Sequence, residues 1–587
     1  MAVFVSKQWI FLNRLTPYLQ KHAKRLVLGF ICIVFTAVFV LASPYVMGKA
    51  VDSLYESITQ AKLIRYAIVI IGLTVLAGIF RFGMRWVIIG VSRDVEFALR
   101  GEVFRHLETL PASFFQENKT GDLMSRATND LSNVRMLMGP GFMYLANTIV
   151  VTLVSAAFML SISWKLTIFA FLPLPFISTF VRHFGRRIHL LTEESQSRLA
   201  DLSARVQESM AGVRVVKAFV QEDHEISDFR GMNERLVEKN HELNRATSVF
   251  YPMMQCVGGL GMVIVLWFGG REVMLGEITP GDFVAFLFYL GRLTWPMIAF
   301  GWVVNLLERG RASMERLNLI LDAQPEIADS TTDTVDHPIK GEIEFRNLSF
   351  SYGGPLVLRN ISLRIPQGKT VAIVGATGSG KTTLIQLIPR LWNAPPNTLF
   401  IDGEPIERIP LETLRKGIGF IPQDTFLFGE TIRENIAFGV EGASDEEIEK
   451  AARISNIYED VQHFPLGFET IVGERGITLS GGQKQRTAIS RAVIRDPGIL
   501  ILDDSLSSVD TATEERILHN LQDVMRNRTS ILISHRVSTV KEADEIIVLD
   551  KGAVVERGTH AELLKNNGYY AELHRRQLLE EELTVRE

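Results

Sequence analysis

Six apolar runs, at 26–47, 63–80, 139–160, 166–181, 253–270 and 283–307, restrict the first half of this chain more than any other feature. Each is close to the roughly 20 residues that an α-helix needs to cross a bilayer. Backbone amides in hydrocarbon must be satisfied within their own segment, so runs of this kind predict six transmembrane helices. Composition agrees: 47% of the 587 residues are hydrophobic, and the mean hydropathy is +0.16. The formal net charge of −4 gives no support to a nucleic-acid partner. Cys32 and Cys256 both fall inside apolar runs, which implies small hydrophobes and no disulfide framework.

Charge sets the expected orientation. The stretches between the second and third runs and between the fourth and fifth are long and basic, with Arg93, Arg100, Arg105, Lys119, Arg126 and Arg135 in one and Arg186, Arg187, Arg198, Arg214, Lys217 and Arg230 in the other. The loop at 271–282 instead carries Glu272, Glu277 and Asp282 against one arginine. The positive-inside bias therefore places both termini and the long stretches in the cytoplasm of a multi-pass protein of the cell membrane. Residues 1–25 mix Lys7, Arg14, Lys21, Lys24 and Arg25 with Trp9, Ile10, Phe11, Leu15 and Leu19, the pattern of an interfacial amphipathic helix. A signal peptide is the rival reading, opposed by the full spanning length of the run that follows.

Apolar residues recur at helical spacing through the long basic stretches, for example Leu202, Val206, Met210, Val213, Val216 and Val220, so the helices are expected to continue out of the membrane. Each stretch has a break: Asn118-Lys119-Thr120-Gly121-Asp122 in the first, and Gly212 followed by Gln221-Glu222-Asp223-His224 in the second. Such a break is either an ordinary helix-helix turn or the seat of a short transverse helix.

The character of the chain changes after the sixth run. Residues 26–320 form the expected membrane domain, 321–339 a polar, turn-rich linker, 340–575 a soluble α/β domain and 576–587 a tail. The soluble part contains Gly375-Ala376-Thr377-Gly378-Ser379-Gly380-Lys381-Thr382-Thr383, which fits G-x-x-x-x-G-K-[ST] between an apolar strand and a helical stretch. Glycines at 375, 378 and 380 let successive N–H groups face one anion, and the following helix contributes its positive end. Lys381 would reach terminal phosphates and Thr382 would ligate Mg²⁺. A buried strand, Ile499-Leu500-Ile501-Leu502, ends in Asp503 and Asp504, placing a carboxylate where Mg²⁺ could be shared with Thr382. Tyr352 offers an aromatic face for adenine. Leu479-Ser480-Gly481-Gly482-Gln483 opens a helix with a hydroxyl and bare amides, a second anion site.

In this order and spacing the motifs resemble the nucleotide-binding domain of ABC ATPases, and the membrane half resembles type IV exporters of the B-subfamily kind; together they cover nearly the whole chain. The fold class that follows is an all-α six-helix transmembrane domain fused to an α/β P-loop nucleotide-binding domain. The resemblance implies that Gln423 is the Q-loop glutamine and a metal ligand with Thr382 and Asp503. It makes Ser480, Gly481, Gly482 and Gln483 the signature that touches ATP on a partner chain, Ser507-Ser508-Val509-Asp510 the D-loop and His535 the switch histidine. Thr120-Gly121-Asp122-Leu123 resembles the first coupling helix and Val472-Gly473-Glu474-Arg475-Gly476 the cross-talk loop.

The family's glutamate after the Walker B aspartate is Asp504 here, which resembles the degenerate half of a heterodimeric pair; a homodimer with a slower base is the alternative. The expected function is ATP-driven export of amphipathic drugs or lipids with ATP and Mg²⁺ as cofactors, a second half-transporter and membrane lipids as partners, and Trp267, Phe268, Phe283, Phe286, Trp295, Phe300 and Trp302 as possible cavity walls. A peptide exporter, or an ATP-gated channel or regulator on the same scaffold, also fits the motifs.

Overall fold

The computed structural model describes residues 10–586 apart from 57–58, 173, 330–336, 474–475, 477 and 527. The chain divides into two units: Met1–Leu107 with Gly121–Asp322, and Glu108–Thr120 with Ala323–Glu587.

The first unit is helical throughout. After an entry helix, Ile10–Lys21, come Ala23–Glu56, Gln60–Leu107, a helical stretch Thr120–Ile162, Trp164–Phe171, Leu174–Ala211, Glu222–Met274 and Pro280–Leu321. Among the described residues, three of these, Ala23–Tyr55, Gln60–Leu107 and Thr120–Ile162, are long and apolar enough to cross a membrane. The fourth, fifth and sixth expected runs also lie on helices, parts of which fall outside the described residues. Large apolar side chains such as Phe30, Ile68, Ile71, Ile79 and Leu153 are exposed along these helices, as lipid-facing surfaces require.

Pro280–Leu321 starts on a capping box, in which the Thr279 hydroxyl accepts from the Asp282 amide at 3.0 Å. Its first turn abuts Gly48 so closely that a Cβ on Gly281 would stand 2.0 Å from the Gly48 carbonyl oxygen. Asp52 secures the same crossing, accepting from Gly281 N at 2.7 Å and from Thr279 Oγ1 at 2.9 Å. Deeper in the unit the buried Asp130 accepts from Ser313 Oγ at 2.8 Å and from Arg316 Nε at 2.8 Å, so its charge is paired.

A short helix stands beside the first break and at the second. The second is Val213–Ala218, between Gly212 and Gln221 as the sequence suggests. The first is displaced from expectation: the isolated helix is Ala112–Glu117, ended by extended Asn118. Thr120-Gly121-Asp122-Leu123 opens the returning helix instead, and the Asp122 carboxylate pairs with Arg126 one turn on.

The second unit has two sheets. β1 (Ile343–Phe350), β2 (Leu358–Ile365), β4 (Leu399–Ile401) and β5 (Glu404–Pro405) form an antiparallel sheet in the order β2-β1-β4-β5. The larger sheet, in the order β10-β9-β3-β8-β7-β6, is built from β3 (Thr370–Gly375), β6 (Ile418–Ile421), β7 (Ile499–Asp503), β8 (Thr529–Ile533), β9 (Glu545–Asp550) and β10 (Ala553–Gly558). It is parallel except for the β9–β10 edge. Strands β7 and β8 are buried along their whole length, as covering both faces of a parallel sheet demands. The C-terminal boundary expected at 575 falls inside a single helix, Tyr569–Arg586.

Candidate nucleotide site

Strand order assembles the site. β3, β8, β7 and β6 run parallel in neighbouring positions, with Ile373 opposite Ile533, Ile533 opposite Asp503, and Leu502 opposite Ile421. The loop after β3, His535 after β8, Asp503 at the end of β7 with Asp504 next, and Gln423 after β6 therefore all emerge at the carboxyl edge of one sheet. In open α/β sheets that edge is where ligands bind.

The phosphate loop is shaped by its glycines. Gly378 has φ 80° and Gly380 φ 101°, both left-handed, and a Cβ on Gly375 would meet the Leu549 carbonyl oxygen at 2.1 Å. Lys381 opens the helix Lys381–Gln386 and is buried. Its Nζ donates to the carbonyls of Gly375 and Ala376, each at 2.9 Å. Burial holds its pKa below the usual lysine value, opposed by the charges of Asp503 and Asp504. The Thr382 hydroxyl donates to Asp503 Oδ1 at 3.3 Å, and Asp503 is 1% exposed. Burial pushes the Asp503 carboxyl up to about 6 against the pull of Thr382 and Lys381, with the Asp504 charge adding to the rise.

Two buried oxygens at this point, Asp503 Oδ2 and Ser379 Oγ, have no hydrogen-bond partner among the described residues. An orphaned buried carboxylate oxygen beside a threonine hydroxyl, under a cradle of glycine amides, fits Mg²⁺ carried by a phosphate chain. Asp504 lies next, with φ 44°, its amide donating to the Ile533 carbonyl at 2.9 Å. Gln423 and His535 are exposed, free to turn toward a ligand.

Tyr352 is 44% exposed and held edge-on by Trp392, 4.6 Å between centroids, and by Phe350. Its hydroxyl donates to Thr383 Oγ1 at 3.1 Å, which fixes the ring beside the loop. Thr377 lies within the loop, between Ala376 and the left-handed Gly378.

The signature residues stand elsewhere. Ser480 caps the helix Gly481–Val493 in a reciprocal box with Gln483, through bonds of 3.3 and 3.0 Å. The helix thus begins within the signature, at Gly481. Gln483 Nε2 also donates to Asp460 at 2.9 Å. Gly481 and Gly482 pack on Ser508, whose carbonyl oxygen would be 3.1 Å from a Cβ at 482. Among the described residues no hydrogen bond joins Ser480–Gln483 to the phosphate loop. The cross-talk loop lies partly outside the described residues, at 474–475.

Two glutamines escape sequence reasoning. Gln485 ties the signature helix to the D-loop, donating to Ser507 Oγ at 3.2 Å and accepting from Ser508 N at 3.0 Å. Gln577, on the C-terminal helix, accepts from Val537 N at 2.7 Å and donates to the His535 carbonyl, bracketing the histidine segment. No motif marks either residue, because each acts across a contact that only the fold makes.

Residues 26–297 match the model of the ABC transporter transmembrane region, and residues 358–507 that of the ABC transporter family. The chain is 37% identical to the probable multidrug resistance ABC transporter ATP-binding/permease protein YheI of Bacillus subtilis, over 97% of this chain and 98% of that one. The chain belongs to the ABC transporter family. It is also 35% identical to the ATP-dependent lipid A-core flippase of Syntrophus aciditrophicus, over 97% of this chain and 95% of that one. A bacterial Atm1-family ABC exporter solved with ATP bound matches at a TM-score of 0.78 and 28% identity, covering 94% of this chain and 98% of that one. This ABC transporter accordingly joins a helical transmembrane domain to a nucleotide-binding domain with mixed sheets, and it couples ATP hydrolysis to transport.

Packing reorders the aromatic candidates. Phe286 is fully buried in a helix-packing cluster, so it is core and no cavity wall. Phe268 stacks on Phe169 at 4.3 Å, and Trp302 meets Tyr144 edge-on. The side chains of Trp295 and Phe300 lie outside the described residues. Cys256 is exposed, whereas Cys32 is buried as expected of a small hydrophobe.

Proposed function

We propose that the chain is one half of a heterodimeric exporter of amphipathic drugs or lipids in the cell membrane, with termini and ATPase domain cytoplasmic, and that its own Walker site binds ATP while hydrolysing it slowly. The observation that carries this reading is Asp504 beside the buried Asp503, in a chain whose phosphate loop and signature cap are otherwise complete. In this reading Lys381 leaves the loop carbonyls for the terminal phosphates, and the Gly378–Thr383 amides and side chains hold the rest of the chain. Tyr352 supports the adenine. Thr382, Asp503 and Gln423 hold Mg²⁺, which supplies charge neutralisation at the phosphates. His535, kept in place through Gln577, donates toward the γ-phosphate.

Asp is one methylene shorter than Glu, so at Asp504 the carboxylate stands back from an attacking water. Removing a positioned general base costs about 10² to 10⁴ in rate. The signature, Ser480 to Gln483, then completes the partner's site, where turnover is fast. The names of the two relatives, one a multidrug transporter and one a lipid A-core flippase, support amphipathic cargo. ATP-dependent uptake of an amphipathic dye against its gradient, in inverted vesicles holding this chain and its partner, tests export. A conductance opened by ATP without concentrative uptake would instead mark a channel.

A further inference from the structure

In the helical unit a cavity of about 330 Å³ is lined by Arg81, Arg85 and Arg292 and by no carboxylate. Arg81 and Arg85 are four residues apart on Gln60–Leu107 and so share one face, and Arg292 approaches from Pro280–Leu321. The remaining wall comes from Met84 and from the first and third apolar runs, including Val40, Tyr144 and Asn147. Val40 is fourteen residues into the first run, roughly 20 Å at 1.5 Å per residue, Arg292 is nine residues into the sixth, and Arg81 and Arg85 follow directly on the second.

Elsewhere in this unit arginines find carboxylates: Arg25 pairs with Asp94, Arg126 with Asp122, Arg135 with Glu96 and Arg316 with Asp130. Among the described residues the three cavity arginines make no ion pair and no hydrogen bond to protein. Three arginines lining one cavity of a membrane domain are costly, and such residues mark substrate pathways. Among the described residues no carboxylate answers these charges, and an anionic ligand would. Guanidinium forks match the paired oxygens of phosphate and carboxylate, and the apolar wall suits a hydrocarbon body. The volume falls within the range of small-molecule sites.

We infer that this cavity receives the anionic head of an amphiphile, a phosphate or carboxylate carried on an apolar body. The inference rests on the export reading and names its substrate class. The direct test is binding to the full-length transporter in phosphatidylcholine nanodiscs, comparing dodecyl phosphate with dodecyltrimethylammonium. Dodecyl phosphate should bind at least tenfold more tightly, and Arg292→Gln or the pair Arg81→Gln and Arg85→Gln should remove at least tenfold of that affinity, with Arg292→Lys recovering part of it. The wild-type comparison needs no variant, so a variant that fails to fold does not spare the inference. Equal binding of the cation, or undiminished binding of dodecyl phosphate to folded glutamine variants, would overturn it. ATP-dependent movement of fluorescent phosphatidylglycerol between leaflets would assign the head to a lipid, and dodecyl phosphate binding without such movement would assign it to a free amphiphile. The export reading fails separately, when no amphiphile of any charge is taken up with ATP.

Discussion

Asp503 concentrates the chemistry of the nucleotide domain in one carboxyl group. Its pKa, about 6, lies above the ordinary 3.8 because burial disfavours the charged form. A proton held more tightly in the folded state contributes stability in full below about pH 3.8, and that contribution is lost as pH rises through about 6. At pH 8, without nucleotide or Mg²⁺, the ionised group therefore costs on the order of 3 kcal/mol. Asp503→Asn should raise the unfolding temperature at pH 8 and leave it unchanged near pH 4, while losing the stabilisation that Mg-ATP brings to the wild type. A scanning-fluorimetry series in pH checks this, and an equal shift at both pH values would contradict the burial argument. Lys381→Ala, by removing the cation now held on the Gly375 and Ala376 carbonyls, should cut photo-crosslinking of azido-ATP to this chain at least tenfold, about 1.4 kcal/mol. Labelling at the wild-type level would exclude Lys381 as a phosphate ligand. These residues are readable from sequence because a phosphate loop needs glycine at fixed positions. Gln485 and Gln577 are not readable, since their partners lie 22 or more residues away in sequence.

At the level of single elements, period and length carried the sequence reading a long way. Each apolar run falls on helix in the described residues, and strand β7 stands where an unbroken apolar run places it. Breaks were harder. Asn118 to Asp122 looks like a helix interruption, but Asn118 ends one helix and Thr120 starts the next, so the isolated piece sits before it at Ala112–Glu117. Nothing in local composition separates a cap from a connector there. Close approach of helices is likewise invisible until the partner is known. Gly281→Ala forces a Cβ to within 2.0 Å of the Gly48 carbonyl oxygen, a backbone atom that cannot step aside. It should cost about 1 to 3 kcal/mol, read as a lowered unfolding temperature in detergent. Gly72→Ala, whose new Cβ meets nothing within 4 Å, should be neutral or slightly stabilising. Equal effects of the two would show that the crossing at Gly48 does not constrain the fold.

Across the whole molecule, strand order was the part that sequence withheld. The motifs occur in the chain order 375–383, 423, 480–483, 503–504 and 535, yet the sheet brings four of these segments to one edge and leaves the signature apart. Chain order cannot show this, because pairing of β3 with β8 and β9 joins segments more than 150 residues distant. The separation is what a site shared between two chains requires, and it makes the quality of each chain's own base matter. The steady-state ATPase rate of this chain purified alone in lipid, with and without Asp504→Asn, tests the asymmetric account most directly. A low rate that changes less than about twofold on substitution is predicted, since a missing general base leaves a barrier that removing Asp504 raises no further. Brisk turnover abolished by Asp504→Asn would contradict it and establish Asp504 as a working base.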